Sequence, residues 1–275
     1  MIYGLRMGAA GAAAATLISR VLCSVIIMAK LHSQKNDIYI EKLLHYRPDF
    51  AVIKRILRIG VPHGIESSMF QIGRLAMQVL ISSMGTAGIA ANSVANTLAN
   101  YLYLPAAATG NAVITVGGRC YGAGELKQAK KYARTLLLWT YICMWVVSAV
   151  LFVFAKPIIG IYNLFEEGAR IAWELTIFHC IATSLIRPLA FTLPSVFKAT
   201  GDAKFSMVVS TVAMWTIRVG SAYIFSLESV NVFGITIPGF GMGIMGVWVA
   251  MVADWVLRSI LFTIRFVKGT WLRQA

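Results

Sequence analysis

Acidic residues are scarce in this chain: 11 Asp and Glu stand among 275 residues, against 25 Lys and Arg. Charged residues of both signs make up only 13%, about half the usual share of a soluble domain, so a solvated globular surface is excluded. Cysteine is sparse too. Cys23, Cys120, Cys143 and Cys180 are scattered and form no C-x-x-C pair, which argues against a disulfide framework or a zinc site and leaves reduced packing residues. Four histidines lie on separate stretches. There is no nucleophile–base pair, metal motif or P-loop, so neither an enzyme, a metal nor an organic cofactor is expected. The N-terminus does not read as a signal peptide: its apolar run is too long, and further apolar runs follow. The net charge of +14 does not point to nucleic acid, because no basic run is interleaved with base-stacking aromatics.

What the chain has in abundance is apolar sequence, at 58%. Runs of about 20 apolar residues are what a helix needs to cross a bilayer core. Seven such spans are predicted, over 4–31, 59–84, 88–118, 132–155, 168–194, 205–227 and 241–268. They are too long for the alternating segments of a membrane barrel. The expected fold is all-α, a polytopic membrane helical bundle of about seven helices. Between the first two spans lies a basic linker, 32–58, where Ile53, Ile56 and Leu57 recur beside Lys54, Arg55 and Arg58 as an amphipathic segment for the membrane surface. Basic residues then cluster at alternate connections: Arg119, Lys127, Lys130, Lys131 and Arg134; Lys198 and Lys204; Arg265, Lys268 and Arg273. The intervening connections hold only Glu166, Glu167 and Glu228 beside Lys156. The positive-inside rule places the linker and C-terminus in the cytoplasm and the N-terminus outside.

Ionisable residues within spans carry the functional signal, since each costs about 2.5–3.5 kcal/mol on insertion scales unless paired or wetted. The second span holds Glu66 and Arg74, with His63 and Gln71 nearby, and Pro62 frees a carbonyl that lets this helix bend. Glu66 has two readings: a coupling site for a proton or cation, or a carboxylate paired with an arginine only to be tolerated. Asp254 and Arg258 are four apart, the spacing of an intrahelical pair. The fifth span carries Glu174, His179, Arg187-Pro188 and Pro194, a pattern of a bent or broken helix of the kind that lines transporter sites. Arg20 and Arg218 need partners or water. Tyr101, Tyr103, Trp139, Trp145 and Trp215 can stack on a cationic or aromatic substrate, or simply pack at the interface. Gly241 to Gly246 fits G-x-G-x-x-G, but no strand is expected before it. Close helix packing explains its small residues instead.

A set of ordered motifs resembles a known family. Gly60-Val61-Pro62 opens a span after a basic linker. Ala87–Asn92, Pro105 and Val116-Gly117-Gly118-Arg119-Cys120-Tyr121-Gly122-Ala123-Gly124 come next, with Ala129 beyond. Phe197-Lys198-Ala199-Thr200-Gly201-Asp202 and Gly246-Val247-Trp248-Val249-Ala250 complete the order. Together they resemble the multidrug and toxic compound extrusion (MATE) family, over essentially the whole chain. The resemblance implies twelve spans in two six-helix lobes, an inverted-V transporter of the plasma membrane. Residues 1–31 then correspond to the last helix of the first lobe, 32–58 to the cytoplasmic linker and 59–275 to the second lobe. The first five spans, and so most of the N-terminal lobe, are expected to be missing.

The resemblance also implies export of organic cations or drugs, driven by protons or sodium. One branch carries an acid two turns after the proline of the second-lobe opening helix, near Phe70 here, with Glu66 one turn earlier. A second acid is replaced near Arg187. Coupling-ion candidates are therefore Glu66, His63, Glu174 and Asp254, and cavity candidates are Gln71, Arg74, Tyr101, Arg187, Trp215 and Arg218. Export of a lipid-linked saccharide is the rival reading, and Arg74, Arg187 and Arg218 facing one cavity would favour it. A membrane fragment that only packs against a partner is the third.

Overall fold

Long apolar runs without backbone partners of their own kind can satisfy their peptide groups in a bilayer only as helices, and helix is what they form. The structure, a computed structural model, describes residues 8–32, 48–232 and 235–272. It divides into two units, Met1–Lys54 and Arg55–Ala275. The first contains α1 (Gly8–Leu31), uncharged along its length apart from Arg20 and Lys30. Residues 33–47 of the expected linker lie outside the described residues.

The later helices are α2 (Phe50–Ser82), α3 (Gly85–Gly122), α4 (Leu126–Gly160) and α5 (Glu166–Arg187). A π-helical turn, Pro188–Thr192, joins α5 to α6 (Leu193–Ala199). Another, Met214–Val219, joins α7 (Ala203–Ala213) to α8 (Gly220–Ser226). α9 (Gly243–Lys268) ends the bundle. The described residues thus make seven helical rods where seven spans were expected. Five are long and apolar enough to cross a membrane by length and composition. α2 and α3 are long enough but more polar.

Four expectations change in detail. The predicted break at Arg187-Pro188 is a widened turn: Pro188 lacks an N–H, and the rod absorbs the loss by going π-helical rather than stopping. The amphipathic stretch Ile53–Leu57 is the opening of α2, and Lys127, Lys130, Lys131 and Arg134 lie in the first turns of α4 rather than in a connection. Lys and Arg are good helix formers, and their stems let a charge reach water from a helical backbone. Finally, a strand does precede the glycine motif: β1 (Ser229–Val232) and β2 (Ile235–Pro238) pair antiparallel, Ser229 opposite Pro238. This hairpin has no βαβ crossover, so it offers no dinucleotide site.

α3 packs against α4 and α5, and α9 against α5 and α8. One apolar cluster joins Met77, Leu80 and Ile81 of α2 to Leu175, Ala222 and Trp248. Another joins Val113, Phe197, Phe262 and Trp271. The outward face of α4 is apolar and exposed, with Leu138, Trp139, Trp145, Val150, Val153 and Phe154, as a lipid-facing surface requires. α9 approaches α8 at Gly246, where a Cβ would lie 2.6 Å from the carbonyl of Phe225. That contact is with backbone and cannot yield by a rotamer change. Gly246→Ala is therefore expected to lower unfolding stability by about 1–3 kcal/mol, read as a lower thermal midpoint of the detergent-solubilised chain by circular dichroism.

Candidate functional site

One cavity of about 540 Å³ opens among the rods of the second unit. Each rod contributes one face at helical spacing. α2 presents His63, Glu66, Phe70, Gln71 and Arg74, and α9 presents Trp248, Met251, Trp255 and Arg258. α3 supplies Asn96, Asn100 and Tyr103. The rod from α5 to α6 supplies His179, Arg187, Phe191 and Lys198, and the one from α7 to α8 supplies Ser210 and Arg218. Both π-helical turns border the cavity, through Phe191 and Arg218. Extra turn width at a functional wall is a recurrent use of this geometry.

Glu66 is buried, and its Oε2 lies 2.9 Å from Lys198 Nζ and 3.4 Å from His63 Nδ1. Ser206 Oγ donates to its other oxygen at 3.4 Å. The partner is a lysine from α6, not the arginine of the tolerated-carboxylate reading. This pair ties α2 to α6 at the point where α2 passes Pro62. In α9, Arg258 donates to Asp254 Oδ2, in keeping with the i, i+4 spacing, both groups fully buried. Asp254 Oδ1 has no hydrogen-bond partner among the described residues. The Arg258 guanidinium lies over the rings of Phe70 (4.9 Å) and Phe191 (5.0 Å).

Arg187 is held by aromatic faces. Its guanidinium stands 4.9 Å from the Tyr103 ring centroid and 5.0 Å from those of Phe191 and Trp255. Its Nε is buried without a hydrogen-bond partner among the described residues, and so is Nε of Arg218. His179 is buried edge-on to Trp248 and Trp255, at 5.0 and 5.4 Å, with neither ring nitrogen bonded to a described residue. Trp248 Nε1 donates to Asn92 Oδ1 at 3.0 Å, fixing α9 against α3.

Of the ten coupling-ion and cavity candidates, Glu66, His63, Gln71, Arg74, Arg187 and Arg218 line this cavity together. Asp254 sits behind its wall through Arg258. Glu174 does not join them: it is half-exposed, paired with Arg170 at 3.5 Å, and borders a separate crevice of about 250 Å³ with Glu167. Tyr101 and Trp215 are exposed on the outer surface. Lys198 reads from the sequence as a loop charge, and it is a site residue that sequence reasoning misses, as are Phe191 and Trp255. The helix stop at Gly201, with φ +85°, is the signal that α6 runs past Lys198. Asp202, in the same motif, anchors α9 through Arg265 Nε at 2.6 Å.

Comparisons with known proteins fit this architecture. The sequence model of the MatE family matches residues 62–224. The "Probable multidrug resistance protein NorM" of Thermotoga maritima is 24% identical over 279 residues, covering 100% of this chain and 57% of that protein. The "Probable multidrug resistance protein YoeA" of Bacillus subtilis is 24% identical over 271 residues, covering 98% of this chain and 56% of that one. A crystal structure of MATE in the straight conformation superposes with a TM-score of 0.79 at 22% identity, covering all of this chain and 59% of that one. The chain thus spans a little over half the length of these relatives.

Breaking a buried ion pair by removing one partner leaves the other charge stranded. Asp254→Asn is expected to destabilise the folded chain by about 3–5 kcal/mol. The double change Asp254→Asn with Arg258→Met should recover most of that loss in chemical unfolding of the detergent-solubilised protein.

Proposed function

Because the chain belongs to the MatE family, we propose that its second unit is the second lobe of an ion-coupled secondary transporter, completing a pathway with a matching first lobe in the cell membrane. The observation that carries this reading is the Glu66–Lys198 pair at the wall of a large cavity within a membrane bundle. A proton or sodium ion arriving at Glu66 competes with Lys198 for the same carboxylate. Neutralising Glu66 releases the lysine and unties α2 from α6; releasing the ion ties them again. Two arrangements biased by an ion are what alternating access needs. His63 is half-exposed beside Glu66 and offers a route for a proton. Phe70 fills the position where the resemblance implies an acid, and Arg258 covers its ring, so Glu66 is the carboxylate open to exchange. The alternation of basic stretches along the sequence supports a cytoplasmic linker and C-terminus.

The resemblance implies organic-cation cargo, and the relatives carry multidrug-resistance names. The charge of the cavity favours the rival reading, an exporter of phosphate-bearing cargo such as a lipid-linked saccharide. Arg74, Arg187 and Arg218 line one cavity, and cationic walls repel organic cations.

The chain co-reconstituted with a matching first lobe, in vesicles carrying a proton or sodium gradient, tests the coupling. Flux of a fluorescent organic ion should depend on the gradient. Glu66→Gln should cut it about tenfold or more, the scale of one charge-assisted interaction. Undiminished flux in the variant would remove Glu66 from the mechanism.

A further inference from the structure

We propose that this lobe carries its own oxyanion site, built from Arg74, Arg187 and Arg218, and that its cargo is an organic anion: a phosphate, sulfonate or carboxylate on an aromatic or apolar body. The assignment rests on the transporter reading for its role as cargo, but the site itself is argued from charge and packing.

The cavity wall holds five cationic side chains, Arg74, Arg187, Lys198, Arg218 and Arg258, and one carboxylate, Glu66. Two of the cations are answered: Lys198 by Glu66 and Arg258 by Asp254. Among the described residues no carboxylate forms an ion pair with Arg74, Arg187 or Arg218. The charges also act on one another, Arg218 and Arg258 on Arg187 and Arg74 and Arg258 on Arg218, with Tyr103 set against the first pair and Asp254 against the second. At membrane depth an unanswered ion costs several kcal/mol unless water reaches it, and like charges around one cavity add to that. An oxyanion relieves both costs.

Guanidinium is the group suited to this task. It is always charged and its planar fork binds phosphate or carboxylate through paired N–H donors. The buried Nε atoms of Arg187 and Arg218 are unpartnered donors among the described residues, and His179 adds two unbonded ring nitrogens at the same wall. Tyr103, Phe191 and Trp255 hold Arg187 by ring contacts at about 5 Å rather than by hydrogen bonds. That orients the guanidinium without consuming its N–H groups. The same rings, with Trp248 and Phe70, give the apolar body of the anion a surface. An organic cation meets the reverse: its charge is repelled, and the one carboxylate is already engaged by Lys198.

The oxyanion can arrive on a free organic anion or on a lipid headgroup, and a binding experiment on the full 275-residue chain separates them. In phosphatidylcholine nanodiscs, calorimetric titration compares naphthyl phosphate with naphthol and naphthylmethylammonium. The phosphate is expected to bind about tenfold or more tightly than either, the scale of a charge-assisted pair. The double variant Arg187→Gln with Arg218→Gln should lose about the same factor. Arg74 is exposed to the cavity, so Arg74→Gln should fold even if the buried double variant does not, with a loss of about threefold. Repeating the titration with phosphatidylglycerol in the nanodisc assigns the source. Competition by the lipid marks a headgroup, and unchanged affinity marks a free anion. Equal or tighter binding of the ammonium probe, no binding of the phosphate, or full phosphate affinity in folded variants would overturn the proposal. Binding is read without flux, so a failure of ion coupling at Glu66 leaves this result standing, and the reverse also holds.

Discussion

A charge carried to the depth of a bilayer must find its answer inside the protein, and the rods of the second unit are arranged by that requirement. Glu66 and Lys198 answer each other across α2 and α6, and Asp254 and Arg258 along α9. Such pairs add little net stability, because desolvation offsets their attraction. Their structural value is that neither partner can leave alone. The pairs therefore act as positional locks, and one of the two joins separate rods.

Between the locks, close packing sets the width of the space. Gly246 lets α9 touch the backbone of α8, and a Cβ on Gly117 of α3 would meet Ala199 of α6 at 3.4 Å. The Trp248–Asn92 hydrogen bond fixes a third contact at cavity height. Without a hydrophobic drive between helices in lipid, such small-residue and polar contacts are what hold a bundle together. The aromatic side chains freed from that task line the opening, where Trp255 and Phe191 serve two arginines.

Much of this is legible in the sequence, for identifiable reasons. Seven apolar runs become seven rods because hydropathy is a long-window signal and tolerates local irregularity. The i, i+4 pair of Asp254 and Arg258 is legible because both residues sit on one helix. Glu66 is visible as an intramembrane acid. Its partner is not: Lys198 lies 132 positions further along, and no local pattern brings α2 to α6. The gathering of Arg74, Arg187 and Arg218 is likewise tertiary. Glu174, Tyr101 and Trp215 show the converse, since residue type alone suggests the cavity for them while their helix faces point away. The strand before Gly241 goes unseen because its segment is shorter than the windows that reveal the helices.

The wide turn at Met214–Val219 has a consequence for any helical wheel drawn along this rod. A π-helical turn takes up one residue more than an α-helical turn, so the angular count after it lags by one position, about 100°. α7 and α8 are in effect two wheels with different zero points. Val208 and Val212 face outward on the first, and a single wheel extended from them misplaces the residues beyond the turn. The surplus residue lets one continuous rod keep an oily flank toward lipid and still turn Arg218 toward the cavity.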